Sequence, residues 1–164
     1  MKKFLGLFAA GLVVAAGTTV STAAPASAAA TVTTFKNQYS NLCLGDDNGD
    51  VKQLSCSDAR ALWFTSEQTV NPVRMSNFYT GRCLWGGDTV KTVPCNQADP
   101  AQQWNFDWHC YSRGVLNIHP VRDLRKHLTG WSTNNDVGLA NFVGMGNGHE
   151  KQVWSTTGLF GCGG

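Results

Sequence analysis

The chain has 164 residues, of which 42% are hydrophobic and 15% are charged, and its formal net charge is +2. Without Lys2 and Lys3, near its start, basic and acidic residues are equal in number. Beyond Arg122, Arg125 and Lys126, Lys and Arg form no cluster. Because nucleic acids and anionic membrane surfaces are bound by clustered positive charge, neither is expected as a partner.

The start of the chain has the pattern of a secretory signal peptide. Two lysines precede an apolar run at 4–16, which is too short to span a bilayer, and small residues follow at 26–28. We therefore expect a signal peptide at 1–28, a secreted, extracellular protein, and a single domain at 29–164. No other apolar run is long enough for a membrane span.

The exported part of the sequence contains internal repeats. Segment 35–44 aligns without a gap on 75–84, and Asn, Tyr, Cys and Leu recur at matching positions. Each copy continues to a second cysteine and a tryptophan, and a degraded third copy ends at Trp154. The predicted repeats are 31–71, 72–114 and 115–164. Short β-type runs between Gly-, Asn- and Asp-rich turns predict an all-β fold, and threefold repetition favours a closed barrel.

All six cysteines lie in the exported part, which is typical of disulfides. If the copies fold alike, each of the first two contains one internal bridge and the remaining two cysteines pair. The predicted bridges are Cys43–Cys56, Cys83–Cys95 and Cys110–Cys162. The cysteine spacings do not fit a zinc site, so neither a metal nor another cofactor is expected.

The repeated pattern is Cys-Leu, a hairpin, a second Cys and then a tryptophan, preceded in two copies by Gln102 and Gln152. In the third copy His127 and Phe142 stand where the two cysteines would be. This pattern resembles the ricin-type β-trefoil lectin domain over essentially all of 29–164. The short hairpins are most similar to its small bacterial, actinohivin-like branch.

The resemblance implies a β-trefoil, which is a six-strand barrel capped by three hairpins. It also implies a non-catalytic protein that binds saccharides or glycoconjugates. In such a fold the two glutamines are expected to brace the backbone. The large repeated apolar residues are expected to form the shared core. They are Leu44, Leu84, Leu128, Trp63, Trp104 and Trp154.

The sugar-binding residues of the family are only partly retained. The family has an acid two residues after the first cysteine, where this chain has Gly45 and Trp85. The aromatic shelf is replaced by Lys52 or Leu54 in the first copy, and by Lys91 or Val93 in the second. Altered saccharide subsites are instead expected in each repeat. Their residues are Asp46 in the first repeat, Trp85, Asp88 and Asn96 in the second, and Trp131, Asn134, Asn135 and Asp136 in the third.

Two alternatives to these subsites remain open. The same Asp and Asn residues also suit solvated turns for backbone reasons alone. The chain could also bind a secreted protein, for example as an inhibitor of secreted hydrolases acting through the glycine-rich loop 144–150. Enzymatic motifs with a nucleophile or metal are not found, and the four histidines are scattered along the sequence.

Overall fold

The computed structural model describes residues 31–66, 71–109, 114–131, 134–144 and 146–156. The expected signal peptide and the expected Cys110–Cys162 bridge lie outside these residues. The strands are β1 (Thr31–Thr33), β2 (Phe35–Asn37), β3 (Cys43–Asp47), β4 (Asp50–Leu54), β5 (Trp63–Thr65), β6 (Met75–Asn77), β7 (Cys83–Gly86), β8 (Val90–Val93), β9 (Trp104–Trp108), β10 (Val115–Pro120), β11 (Lys126–Gly130), β12 (Val137–Asn141) and β13 (Val153–Thr156). The 3₁₀ helices are η1 (Ala59–Ala61), η2 (Pro100–Gln102) and η3 (His149–Gln152).

These 3₁₀ helices are single turns, so the described part of the chain holds no helix that could span a bilayer.

The strands at the start and end of each repeat close into a barrel. The first strand of a repeat pairs with the last strand of its own repeat and with that of the preceding one. Thus β10 pairs with both β13 and β9, and β5 pairs with both β1 and β6. The ring is completed by the pairing of β13 with β2 and by a bridge between Val73 and Trp104.

The middle strands of each repeat form an antiparallel hairpin. The hairpins are β3–β4, β7–β8 and β11–β12, and residues of the three contact one another. They begin at Cys43, Cys83 and one residue before His127, so the repeated Cys-Leu and His-Leu pairs occupy equivalent places. The three hairpins therefore form the cap that the repeat pattern predicts.

The core is built from the same three positions in each repeat. Trp63, Trp104 and Trp154 are fully buried, as predicted. Each indole N–H donates to the carbonyl oxygen of the repeated leucine in its own repeat, at 2.8, 3.1 and 3.0 Å for Leu44, Leu84 and Leu128 respectively. These bonds satisfy the only polar atom of each buried indole and join the barrel to the cap.

The two predicted intra-repeat disulfides are present. Cys43 bonds Cys56, and Cys83 bonds Cys95, each with 4.9 Å between the Cα atoms. Each second cysteine follows the end of its hairpin, so the bridge ties the chain leaving the hairpin back to its start.

An aromatic stack occupies the equivalent place in the third repeat. Strand pairing places Leu54, Val93 and Ala140 opposite Cys43, Cys83 and His127. Phe142, two residues after Ala140, is thus equivalent to the second cysteines. The rings of His127 and Phe142 are stacked, with centroids 4.4 Å apart.

The two tryptophans of the second repeat differ in burial and should differ in their contribution to stability. Trp104→Ala should lower the free energy of unfolding by about 3–5 kcal/mol, because it leaves a cavity and an unpaired Leu84 carbonyl. Trp85→Ala, in a partly exposed position, should cost well under half as much. Urea unfolding measures both, and equal losses would contradict the role given to Trp104.

The equivalence of the stack with a disulfide can be tested directly. In His127→Cys/Phe142→Cys the new pair should oxidise to a third intra-repeat bridge, because the surrounding register matches that of the other two hairpins. Non-reducing peptide mapping by mass spectrometry should find the crosslinked peptide. Recovery of both new cysteines as free thiols under oxidising conditions would contradict the equivalence.

Candidate functional site

The second hairpin holds Trp85 in a fixed and partly exposed position. Trp85 lies opposite Lys91 in the hairpin, and the ammonium of Lys91 is 4.7 Å from the centroid of the indole. Its N–H donates to Oδ2 of Asp99 at 3.1 Å. Gly87 packs so closely on the ring that a Cβ there would lie 1.9 Å from it. An indole immobilised in this way can present an apolar face to a ligand without losing further side-chain entropy.

Asp99 is a residue of this site that the sequence analysis missed. Its Oδ1 accepts from the backbone N–H of Ala101 at 2.9 Å, as the N-cap of η2, which leaves Oδ2 for Trp85. The sequence signal was the Asp-Pro pair one residue before the Gln-x-Trp segment, which is typical of a helix start. The partner of its second oxygen could not be read from that signal.

Asn96 lies exposed next to this group. Its carbonyl oxygen accepts from the backbone N–H of Asp99 at 3.2 Å, and its side-chain oxygen accepts from the backbone N–H of Ala98 at 3.0 Å.

The two repeated glutamines bond the backbone beside their hairpins. The side-chain oxygen of Gln102 accepts from the backbone N–H of Asn96, and its amide donates to the carbonyl of Pro94. Gln102 therefore braces the backbone as predicted, and Gln152 makes matching bonds to Asn141 and Val143.

Asp88 is set apart from the Trp85–Asp99 pair, because neither of those residues lines the cleft beside Asp88. It is exposed in the turn between β7 and β8, and no hydrogen bond or ion pair engages its carboxylate among the described residues. It lines a cleft of about 430 Å³ between the second hairpin and the third repeat. The three residues predicted for the second repeat thus lie on one hairpin, but they do not converge on a single point.

Asp46 is fully buried, at 0% exposure. It accepts from the N–H of Gly49 and from the hydroxyl of Thr92, both at 2.8 Å, and from the hydroxyl of Thr80. Because protein donors engage both carboxylate oxygens, Asp46 stabilises the contact between the first and second repeats and is not offered to a ligand.

In the first repeat, ion pairs occupy the surface equivalent to the one that Trp85 and Asp99 occupy in the second repeat. Arg60 bonds Asp47 at 2.7 Å and Asp58 at 2.8 Å. Gly45, which aligns with Trp85, lies so close to Leu54 that a Cβ would be 2.4 Å from its side chain. The first repeat therefore presents no aromatic surface at this position.

The residues predicted for the third repeat form a second exposed group. Asp136 accepts from Asn134 and from Lys52 of the first repeat, the latter at 2.5 Å, and this hydrogen bond raises the pKa of Lys52. Trp131 is half-exposed and packs on Gly138. Asn135 contributes its carbonyl to the N–H of Gln53 at 2.7 Å. The hairpin tip is thus bonded to the first repeat, and Trp131 beside it is partly exposed.

The four histidines, scattered in the sequence, lie together where the end of the second repeat meets the third. His119 and His127 have ring centroids 5.2 Å apart, and His109 and His149 have centroids 5.7 Å apart. Phe142 lies between the pairs, 4.4 Å from His127 and 6.1 Å from His149. Their scattered positions in the sequence do not predict this cluster, which forms because strand pairing and η3 bring the four rings together.

Two of these histidines have shifted pKa values of opposite direction. A hydrogen bond to Asp107, at 3.1 Å, raises the pKa of His119. Burial, with repulsion from His119, lowers the pKa of His127. The His119 contribution to stability is present below its unfolded pKa and is lost as pH rises through its folded pKa. His127 acts in the opposite sense. Because its pKa is lower in the folded chain than in the unfolded chain, the unfolded chain binds a proton first as the pH falls. Its contribution to stability therefore decreases on acidification.

Acidification should therefore separate two variants of this cluster. Between about pH 7.5 and about pH 5.5, the range in which histidine titrates, His127→Phe should lose less stability than the parent, because the buried titrating group is gone while a ring remains. Asp107→Asn should lose more, since the gain at His119 disappears. Urea unfolding at both pH values measures this, and parallel pH profiles for all three proteins would contradict it.

Comparison with known proteins identifies the fold. No protein-family model matches the sequence, and no curated protein matches it. Among solved structures, the designed threefold-symmetric protein ThreeFoil matches with a TM-score of 0.63 and 15% identity, over 77% of this chain and 97% of that chain. The BEL β-trefoil matches with a TM-score of 0.62 and 14% identity, over 80% of this chain and 96% of that one.

A third match is a domain-sized part of a larger protein. The GlcNAcα1-4Gal-releasing endo-β-galactosidase from Clostridium perfringens matches with a TM-score of 0.63 and 13% identity, over 76% of this chain and 31% of that one. At these identities the matches show the fold alone. The chain is a β-trefoil protein, stapled by two intra-repeat disulfides among its described residues.

Proposed function

We propose that this β-trefoil is a secreted carbohydrate-binding protein of the ricin type, in its short-hairpin, actinohivin-like branch, and that it acts on extracellular glycans without catalysis. The observation that carries the proposal is the partly exposed Trp85 indole, which Asp99, Lys91 and Gly87 hold in place on a disulfide-closed hairpin. The export pattern at 1–28 and the disulfides support secretion.

The chemistry of the second repeat suits a hydroxylated ring. An indole face packs against the C–H face of a sugar, and carboxylates and amides accept from or donate to adjacent hydroxyls. In this proposal Trp85 supplies the apolar face for one sugar residue and Asn96 bonds its hydroxyls, while Asp88 bonds hydroxyls of another sugar residue of the same glycan. Bonds to exposed hydroxyls give little net energy unless the protein groups are already in place. The rigid surroundings of Trp85 meet that condition.

The third repeat supplies a second subsite of similar composition. There Trp131 offers the ring, and Asn134 and Asp136 offer the amide and the carboxylate, with Asn135 shaping the turn through its positive φ of 58°. Two subsites on one rigid barrel would raise the avidity for a branched or repeating glycan even if each binds weakly.

A binding experiment on the mature chain tests this function. A glycan array identifies bound saccharides, and calorimetry then compares the parent with Trp85→Ala and Asp88→Ala. Each variant should weaken binding roughly tenfold or more, a loss expected when a stacking or charged contact is removed. The melting temperature should stay nearly unchanged in Asp88→Ala and fall modestly in Trp85→Ala. Binding that survives both changes but is lost in Asp136→Ala would move the site to the third repeat.

A second candidate function is binding of a secreted protein. It is favoured by Phe142 and Val143, which are each 47% exposed directly before the glycine-rich segment 144–150. Exposed apolar side chains beside such a loop are typical of protein interfaces. If the parent binds no saccharide on the array, this function replaces the first, and Val143→Asp should then weaken binding to the partner.

A further inference from the structure

Three equivalent junctions join neighbouring repeats at the cap, and side-chain hydrogen bonds fill two of them. At the junction of the first and second repeats, Asp46 accepts from the hydroxyls of Thr92 and Thr80. At the junction of the third and first repeats, Gln53 accepts from Ser40 and donates to the carbonyl of Trp131 at 2.6 Å. In both places a polar side chain crosses from one repeat to its neighbour.

The junction of the second and third repeats lacks such a bridge among its described residues. The strand register places Gly86 where the first repeat has Asp46, and Leu139 where the other repeats have Gln53 and Thr92. A glycine has no side chain to reach across, and a leucine cannot hydrogen-bond. The space that the other two junctions fill is here the cleft of about 430 Å³.

The glycine at this position is required by packing. A Cβ on Gly86 would lie 2.6 Å from the buried Trp104 ring. The core therefore prevents a bridging side chain from this residue, and the floor of the cleft is formed by the backbone of Gly86 and Gly87. Pro120 and Leu139 provide apolar walls.

Two cations line the cleft, and one of them, Lys126, also attracts the carboxylate of Asp123 from beyond ion-pair distance. Arg122 and Lys126 line it, and no carboxylate among the described residues lies within ion-pair distance of either side chain. The neighbouring Asp123 is engaged by Arg125, through the guanidinium at 3.2 Å and the backbone N–H at 3.0 Å. Across the cleft, Asp88 keeps an exposed carboxylate that can accept from hydroxyls.

We propose that this cleft binds a sugar residue that carries a carboxylate, such as a hexuronate within an acidic glycan. The carboxylate would bond Arg122, whose planar fork matches it, and Lys126, while hydroxyls bond Asp88 and the ring packs on Leu139 and Pro120. The cleft volume lies within the range of about 300–1,000 Å³ that is typical of ligand sites. This inference rests on the proposed glycan-binding function and names its ligand class.

The test compares two ligands that differ in charge and otherwise only in the ester methyl groups. Trigalacturonate and its methyl ester have the same hydroxyls, and the ester lacks the negative charges. By calorimetry the parent should bind trigalacturonate at least about tenfold more tightly than the ester, and the difference should shrink with added salt. In ¹H–¹⁵N NMR spectra, the amide signals of Gly86, Gly87 and Leu139 should shift on binding.

Variants then assign the effect to the cleft. Arg122→Gln and Lys126→Gln should each weaken trigalacturonate binding roughly fivefold or more and leave binding of the ester unchanged, because only the charge contact is removed. Lys36→Gln removes an exposed cation on β2, outside the cleft, and should bind like the parent. Both cleft substitutions are on the surface, so a loss of folding is not expected to obscure the result.

The possible failures are distinguishable. If neutral glycans bind but Arg122→Gln and Lys126→Gln match the parent with trigalacturonate, the cleft inference is overturned and the glycan-binding function stands. The same holds if the NMR shifts are confined to Trp85 and Asp99, or if inorganic phosphate competes as well as trigalacturonate. If no neutral or acidic saccharide binds the parent, both proposals fail together.

Discussion

The hydrogen bond from each core indole to the carbonyl of the repeated leucine is the constraint on which the rest of the structure depends. A buried indole is a large source of apolar stabilisation, but its N–H must be satisfied. In this chain the acceptor is always the backbone of the hairpin, never a side chain. The tryptophan of each repeat therefore fixes the position of the cap hairpin of that repeat relative to the barrel. The site residues lie on or beside these hairpins, so their positions depend on the same bond.

This arrangement explains why the three repeats can differ so much on their outer surfaces. Each hairpin needs a contact that holds the chain leaving it against its start. The chemistry of that contact can differ from repeat to repeat as long as the indole and the leucine stay in place. A disulfide closes the first two hairpins and a His127–Phe142 stack closes the third. The third closure contains His127, whose pKa is lowered by burial, whereas a disulfide has no group that titrates.

The parts of the fold that repeat in the sequence were predictable from it. Residues that recur at matching positions predict three features, because equivalent residues in a repeat protein have equivalent structural roles. These features are the burial of Trp104, the two intra-repeat bridges and the bracing role of Gln102. The local signal of Asp99 was also present, as a helix start. These features can be predicted from one sequence, because they depend on residues within a single repeat.

The features that could not be predicted depend on contacts between repeats. Asp46 was expected at a sugar-binding position, yet it lies buried because Thr80 and Thr92 of the next repeat converge on it. The histidine cluster and the cleft beside Asp88 arise in the same way, from residues that meet only after the barrel closes. Turn composition at Asp46 and Asp88 is similar, so nothing in the sequence distinguishes a buried acid from an exposed one.

The strand pairing of β2 with β13 has a consequence for how this protein is made. Asn37 bonds the backbone of Lys151, 114 residues away, so the first repeat lacks its contacts with the third repeat until that repeat has been synthesised. Contacts between residues this far apart in sequence form slowly, because the chain must lose the conformational entropy of a long loop before the contacts can stabilise it. A chain emerging from the ribosome thus remains without its final barrel during most of translation.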